Sequence, residues 1–176
     1  KYKSFETKEE ATKAFEKGYE HYLKTASSSK AAAGLTPKAP VGKPIWESLC
    51  VDAACSGNPG DMEYRGVYPP TMQEIFRIGP LKKGTNNIGE FLALVHGLAL
   101  LKQKGSSLPI YSDSRNAIGW VKKKKCKTLL ERVPENEPIF DMIERAEKWL
   151  KTNTYTTPIL KWETSEWGEI PADFGR

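Results

Sequence analysis

Ser48 to Cys55 is a run of small and apolar residues closed by the turn chemistry of Ser56-Gly57-Asn58-Pro59-Gly60, and in its middle stands one ionisable group, Asp52. The run reads as a buried strand. A carboxylate there must be paired, hydrogen-bonded or neutralised, because removing it alone from water costs several kcal/mol or more. No Arg or Lys falls within the run or its turn to serve as partner. A bound cation answers the problem, so the chain is best read by asking which other carboxylates converge on Asp52.

The 176 residues suit one ordinary domain with an appendage, and 39% hydrophobic with 28% charged residues is the balance of a soluble globular protein. No apolar run approaches the length of a bilayer span and no signal-peptide pattern opens the chain, so no membrane partner is expected. The first residue is Lys rather than Met, which leads to the expectation of a fragment of something longer. A net charge of +5 and a pI of about 9.0 are compatible with a polyanionic partner. Cys50, Cys55 and Cys126 form no CxxC pair, which reads as buried free thiols in a reducing, cytoplasmic compartment.

In chain order, residues 1–25 form a small unit. Thr7 and Glu10 make a capping box, and Ala11, Ala14, Phe15 and Tyr19 follow at helical spacing, predicting a helix from Glu9 to about Leu23. Residues 26–45 turn to Ser, Ala, Lys, Gly and Pro, the composition of a flexible tether. The main domain, 46–176, opens with strands expected at Ser48–Cys55, Met62–Tyr68 and Met72–Ile78, an antiparallel meander. Ile88, Phe91, Leu92, Val95, Leu98 and Leu101 then mark a long amphipathic helix ended by Gly105. A strand at Leu108–Ser112, a helix carrying Ala117, Ile118, Trp120 and Val121, a helix at Pro138–Leu150 and a strand at Thr156–Trp162 complete the pattern. Three strands followed by helix–strand alternation predict an α/β fold: a mixed five-stranded sheet, three antiparallel strands then parallel ones, with helices packed on it.

Four carboxylates stand out, and three have ordinary explanations when taken singly. Glu90 lies three residues after Asn87, as a capping-box glutamate would. Asp113 is placed to cap the helix after it, and Asp173 is placed to be a solvated residue near the end of the sequence. Asp52 has the poorest ordinary explanation, since a strand aspartate is rarely buried without a partner.

Their contexts together resemble the type 1 ribonuclease H family, whose members cut RNA in RNA–DNA hybrids. The matching stretches are Val51 to Gly60, Thr85 to Leu94, Tyr111 to Ser114 and Ala172-Asp173, in that order. The resemblance covers about residue 46 onwards, and residues 3–23 resemble the tail of the small hybrid-binding domain that precedes the catalytic domain in many members. It implies a metal-binding quartet of Asp52, Glu90, Asp113 and Asp173. Many members place a histidine on a loop before the last aspartate, whereas this chain has only His21 and His96. Its Trp167-Gly168-Glu169…Ala172-Asp173 ending is similar to a bacterial subgroup that uses a glutamate there. Glu169 is therefore the expected fifth acidic residue, with Glu163 and Glu166 as weaker candidates.

All-oxygen ligands favour two Mg²⁺ ions, with Mn²⁺ as a substitute. Such a pair stabilises both the attacking and the leaving oxygen of a phosphodiester displacement. The resemblance implies hydrolysis of the RNA strand of a hybrid to 5′-phosphate and 3′-hydroxyl ends, with Asp52 bridging both ions. Recognition of the RNA 2′-hydroxyl falls on Gly57, Asn58, Asn86, Asn87 and Arg115. By analogy, Thr85, Asn87 and Thr128 hold a DNA phosphate and Trp120 rests on DNA sugars, although helical spacing alone places Trp120 equally well in the core. The basic run Lys122–Lys127 reads as non-specific backbone attraction. The alternatives are a catalytically silent hybrid-binding module and a related two-metal nuclease or resolvase acting on DNA. Nothing in the sequence requires more than a monomer.

Overall fold

The computed structural model describes residues 42–175. The expected helix at Glu9–Leu23 and the tether up to residue 41 lie outside the described residues. Three strands open the domain: β1, Leu49–Cys55, β2, Gly60–Tyr68, and β3, Gln73–Gly84. The turn between the first two closes with Ser56 N–H donating to Asp61 O (2.9 Å) and Asp61 N–H to Ser56 Oγ (2.9 Å). β1 pairs antiparallel with β2, and β2 antiparallel with β3. β4, Ile110–Ser112, and β5, Ile159–Lys161, add parallel pairs, giving the order β3-β2-β1-β4-β5 with β1 at the centre. The mixed five-stranded sheet is the one the pattern predicts.

The differences lie in element lengths. β3 runs on to Gly84 through Gly79-Pro80, a pair that punctuates the sequence like a turn. β3 is an edge strand, and there a proline removes no ladder hydrogen bond. β4 and β5 shrink to three residues each, losing mainly their expected starts, where Pro109 and Pro158 have no N–H to give a ladder. Sequence patterning also misses a 3₁₀ turn at Pro134–Asn136.

Four helices accompany the sheet: α1, Asn86–Gln103, α2, Arg115–Lys123, α3, Glu137–Thr152, and the single turn α4, Thr164–Trp167. α1 is not the amphipathic helix expected. Ile88 to Val95 are all buried, as are Gly97, Leu98 and Leu101, because α1 is sandwiched between the sheet and the helices α2 and α3. Two glycines bring it down onto the strands. A Cβ on Gly89 would stand 2.7 Å from the Ala53 Cβ, and one on Gly97 would stand 2.4 Å from Ile110 Cδ1.

Alternation along β1 sorts its side chains between two cores. Leu49, Val51 and Ala53 join the large core beneath α1, whereas Cys50 joins a smaller one on the other face with Val67, Tyr111, Trp162, Ile170 and Ala172. Trp162 is fully buried there, edge-on to Tyr111 (5.4 Å between centroids) and Trp167 (5.0 Å). Its indole N–H donates to Gly168 O (2.9 Å). The described end of the expected tether is tied to this cluster: Trp167 Nε1 donates to Gly42 O (2.7 Å) and Ile45 N to the Tyr111 hydroxyl (2.9 Å). Cys50 and Cys126 are buried free thiols, their pKa values pushed up to about 12 by burial, while Cys55 is only half-buried.

The glycine contacts give a paired prediction. Gly89→Ala gains about 1 kcal/mol of helix propensity but must push α1 away from a neighbour that cannot rotate aside, a cost of roughly 1–3 kcal/mol. Gly119 in α2 faces open space. Thermal melts should show Gly89→Ala below wild type and Gly119→Ala above it; the reverse order would contradict this packing.

Candidate functional site

Asp52 lies on β1 beyond the last β1–β4 pair, Cys50–Tyr111, so the two parallel strands part just before it. Glu90, one turn into α1, fills the opening. Its Oε1 accepts the Ala53 N–H (3.2 Å), a backbone donor that β4 no longer reaches. The helix is capped elsewhere, by Thr85 Oγ1 accepting Ile88 N–H (3.3 Å), so the ordinary capping role for Glu90 does not apply. Asp113 directly follows β4, and the cap of α2 is its neighbour Ser114, whose Oγ accepts Ala117 N–H (3.1 Å). Both side chains are thereby left for another purpose.

Asp52, Glu90 and Asp113 each offer an oxygen within 4.8 Å of the other two. They open into a cavity of about 560 Å³ whose wall also includes Ala53 to Ser56, Asn86, Asp173 and Phe174. Asp52 is 6% exposed and Glu90 2%, so the desolvation that the sequence predicts for Asp52 is real. Burial, reinforced by the charges of Asp113 and Asp173, lifts the Asp52 pKa from its ordinary 3.8 to about 6. Glu90 is raised well above its usual range, first by burial and then by Asp52. Asp113 is raised by burial, with Lys161 opposing and Glu169 and Asp173 adding to the rise. Glu90 Oε2 is buried with no protein donor. Either a proton shared with Asp52 or a cation satisfies it. The orphaned oxygen and the all-carboxylate donor set fit a hard divalent cation.

The remaining predicted residues fall into three groups. Asp173 lines the same cavity outside the tight trio, with its Oδ2 accepting Gly175 N–H (2.9 Å). Glu169 is exposed and acts on Asp113 through its charge, without lining the cavity. Glu163 precedes α4 and Glu166 lies exposed within it. A second cavity, about 590 Å³, gathers Asn58, Thr85, Asn87, Trp120 and Thr128, with Lys127 from the basic run. Asn86 faces the carboxylate cavity instead, while Gly57 and Arg115 line neither. Trp120 packs edge-on to Phe91 (6.3 Å), as helical spacing allowed, and also lines the second cavity.

The basic run is less uniform than the sequence suggests. Cys126 is buried within it, and Lys125 pairs with Glu147 (3.4 Å). His96 has a structural role, stacked on Phe76 (4.0 Å) and hydrogen-bonded to the Tyr64 hydroxyl (3.1 Å). Burial lowers its pKa. Sequence reasoning misses Arg65, which donates to Ala172 O and Asp173 O and so ties the stretch bearing Asp173 to β2. The only signal for it was its position across the hairpin from Asp52.

Comparison with known proteins gives one family. The sequence model of the RNase H family matches residues 47–161. A ribonuclease H of Rickettsia bellii is 31% identical over 137 residues, which are 71% of this chain and 83% of that protein. A ribonuclease H of Rhodopirellula baltica is 41% identical over 75 residues, 42% of this chain and 46% of the relative, so the chain spans about half the length of that protein. Among solved structures, the ribonuclease H1 of the halophilic archaeon Halobacterium salinarum aligns with a TM-score of 0.42 and 19% identity, covering 68% of this chain and 86% of that one.

The carboxylate cluster sets a pH dependence of stability. Asp52 and Glu90 both titrate higher in the folded chain than in the unfolded one; for Asp52 the native state holds the extra proton from about pH 4 to 6, and stability falls as pH rises through that window. An acid lifted from 3.8 to about 6 costs roughly 3 kcal/mol at most once ionised. In chelator at pH 8, Asp52→Asn should therefore melt several degrees above wild type, and the gap should close near pH 4. Mg²⁺ should raise the wild-type melting temperature at pH 8 and leave the variant nearly unmoved.

Proposed function

This chain belongs to the ribonuclease H family, and on that premise we propose that it is a metal-dependent endonuclease hydrolysing the RNA strand of RNA–DNA hybrids. The observation that carries the reading is the trio Asp52, Glu90 and Asp113, with oxygens within 4.8 Å of one another at the floor of an open cavity. Buried like charges are costly to assemble, and a protein that only bound a hybrid would gain nothing from them. With Asp173 they make an all-oxygen donor set for two divalent cations, Mg²⁺ or Mn²⁺. Such cations, when bound, supply positive charge at the attacking and leaving oxygens of a phosphodiester.

The chain's own groups divide the remaining work. Glu90 is locked by the Ala53 N–H, so its carboxylate is oriented before any ligand arrives. Asp113 feels the opposing charges of Lys161 and Glu169, and the exposed Glu169 is the fifth acidic group, suited to loosening cations after the cut. Asn86, at the carboxylate cavity, reads the 2′-hydroxyl of the RNA strand with Gly57, Asn58 and Arg115. The second cavity takes the DNA strand, with Thr85, Asn87, Thr128 and Lys127 around a phosphate and Trp120 against the sugars. None of these groups reads a base edge, so cutting has little sequence preference. Hydrolysis leaves 5′-phosphate and 3′-hydroxyl ends.

The test is cleavage of an end-labelled RNA–DNA hybrid in Mg²⁺ and in Mn²⁺, with duplex RNA and duplex DNA as controls. Wild type should cut only the hybrid's RNA strand, and Asp113→Asn should lose at least roughly a hundredfold in rate. Tight hybrid binding with no cutting in either metal would sink the hydrolase and favour a binding module, and cutting of duplex DNA would favour a DNA nuclease.

A further inference from the structure

Arg65 stands directly across from Asp52 in the β1–β2 register, hence on the same face of the sheet. Its guanidinium makes no ion pair with the Asp52 carboxylate. Instead Nε donates to Ala172 O (2.8 Å) and Nη2 to Asp173 O (2.6 Å), contacts that span 107 and 108 residues of sequence. Nη1 donates to Glu74 Oε2 (3.1 Å), which fixes the fork from the other side. The same guanidinium lies over the Phe174 ring (5.0 Å to the centroid), and Arg77, itself paired with Glu74, lies over that ring too (5.1 Å). One side chain thus holds three successive residues, and it is 20% exposed.

Asp173 needs such a grip. It belongs to neither helix nor strand, and its carboxylate lines the cavity without joining the tight trio. Its position is therefore set by what holds its main chain: the turn in which Asp173 N–H donates to Ile170 O (2.9 Å), seated on the smaller core, and the Arg65 fork that fixes its tilt. A planar fork on two consecutive carbonyls fixes both the place and the tilt of that backbone, which a lysine's single ammonium cannot reproduce. We propose that Arg65 is a positioning residue for cation binding: by gripping the carbonyls of Ala172 and Asp173 it sets where Asp173 presents its carboxylate, touching neither cation nor substrate. This rests on Asp173 serving as a cation ligand, as in the function proposed above.

Positioning and simple electrostatics predict opposite signs, which makes the idea testable. Removing a positive charge beside a cation site should by Coulomb's law alone tighten cation binding. Loss of the grip should weaken it, by about tenfold for a residue that orients a ligand.

The experiment is calorimetric titration of Mn²⁺ into wild type, Arg65→Ala and Arg65→Lys, alongside the Mg²⁺ dependence of hybrid cleavage. Arg65→Ala should bind Mn²⁺ about tenfold more weakly, and its half-maximal Mg²⁺ concentration should rise in step. Its KM for the hybrid should change less than about threefold at saturating metal, and Arg65→Lys should fall between. In an Asp173→Asn background, Arg65→Ala should add no further loss.

Unchanged or tighter Mn²⁺ binding by folded Arg65→Ala overturns the proposal, as do losses that simply add in the double variant. If Arg65→Ala does not fold, Arg65→Lys and Glu74→Gln carry the test, and wild-type Mn²⁺ affinity in both overturns it. A wild type that binds Mn²⁺ but leaves the hybrid uncut refutes the hydrolase and still allows the comparison of affinities; one that binds no Mn²⁺ refutes both.

Discussion

The hydrogen bond from the Ala53 amide to Glu90 joins the two parts of the molecule on which everything else depends. It requires α1 to approach β1 closely enough for a side chain from the first turns of the helix to reach strand backbone. That approach is possible because Gly89 has no Cβ to strike Ala53. It also requires β4 to have left β1 already, so that the amide is available. A polar group lost by the sheet is thus satisfied by the site, and a buried carboxylate gains a fixed orientation in return. The site occupies the gap between two diverging parallel strands, where open α/β sheets characteristically bind ligands.

The sheet divides its labour by face. The apolar partners of β1 under α1 provide the bulk of the core. The other face carries a smaller aromatic cluster with Trp162 at its centre, and this cluster positions the segment leading to Asp173. Two carboxylates of the cavity are therefore anchored by regular structure, Asp52 on a strand and Glu90 on a helix. Asp113 sits where β4 ends, and Asp173 is anchored by side-chain contacts to irregular backbone.

That distinction explains what could be read in the sequence. Asp52 was visible because a charge in an apolar run violates its own local pattern. Glu90 and Asp113 were ambiguous, since capping is a local role that each could have filled; the structure assigns the caps to Thr85 and Ser114 instead. The mixed sheet, three antiparallel strands and then parallel ones, followed from the alternation of elements, whereas the central place of β1 came only with the structure. The breadth of α1's burial did not, because its few polar positions hide a helix enclosed on several sides. The link between Arg65 and Phe174 was illegible, since it crosses more than a hundred residues, and Glu74 gains its part only by fixing that guanidinium. Glu169 was singled out only through resemblance; it is exposed, outside the cavity lining, and reaches Asp113 through its charge.

The reach of Arg65 across 107 residues also bears on the order of assembly. Closing so long a loop has an entropic cost that only contacts made at the end can offset. On a growing chain, the hairpin bearing Asp52 and Arg65 is made well before the stretch that bears Asp173, and protein synthesis delivers it first. The buried residues of the large core beneath α1 end at Leu150, with Tyr155 and Ile159 packed against them. The sheet and its main helices can therefore take shape while the fourth carboxylate is still unmade. The acidic lining of the cavity is then completed after its scaffold, and a nascent chain carries three of the carboxylates before it carries the fourth.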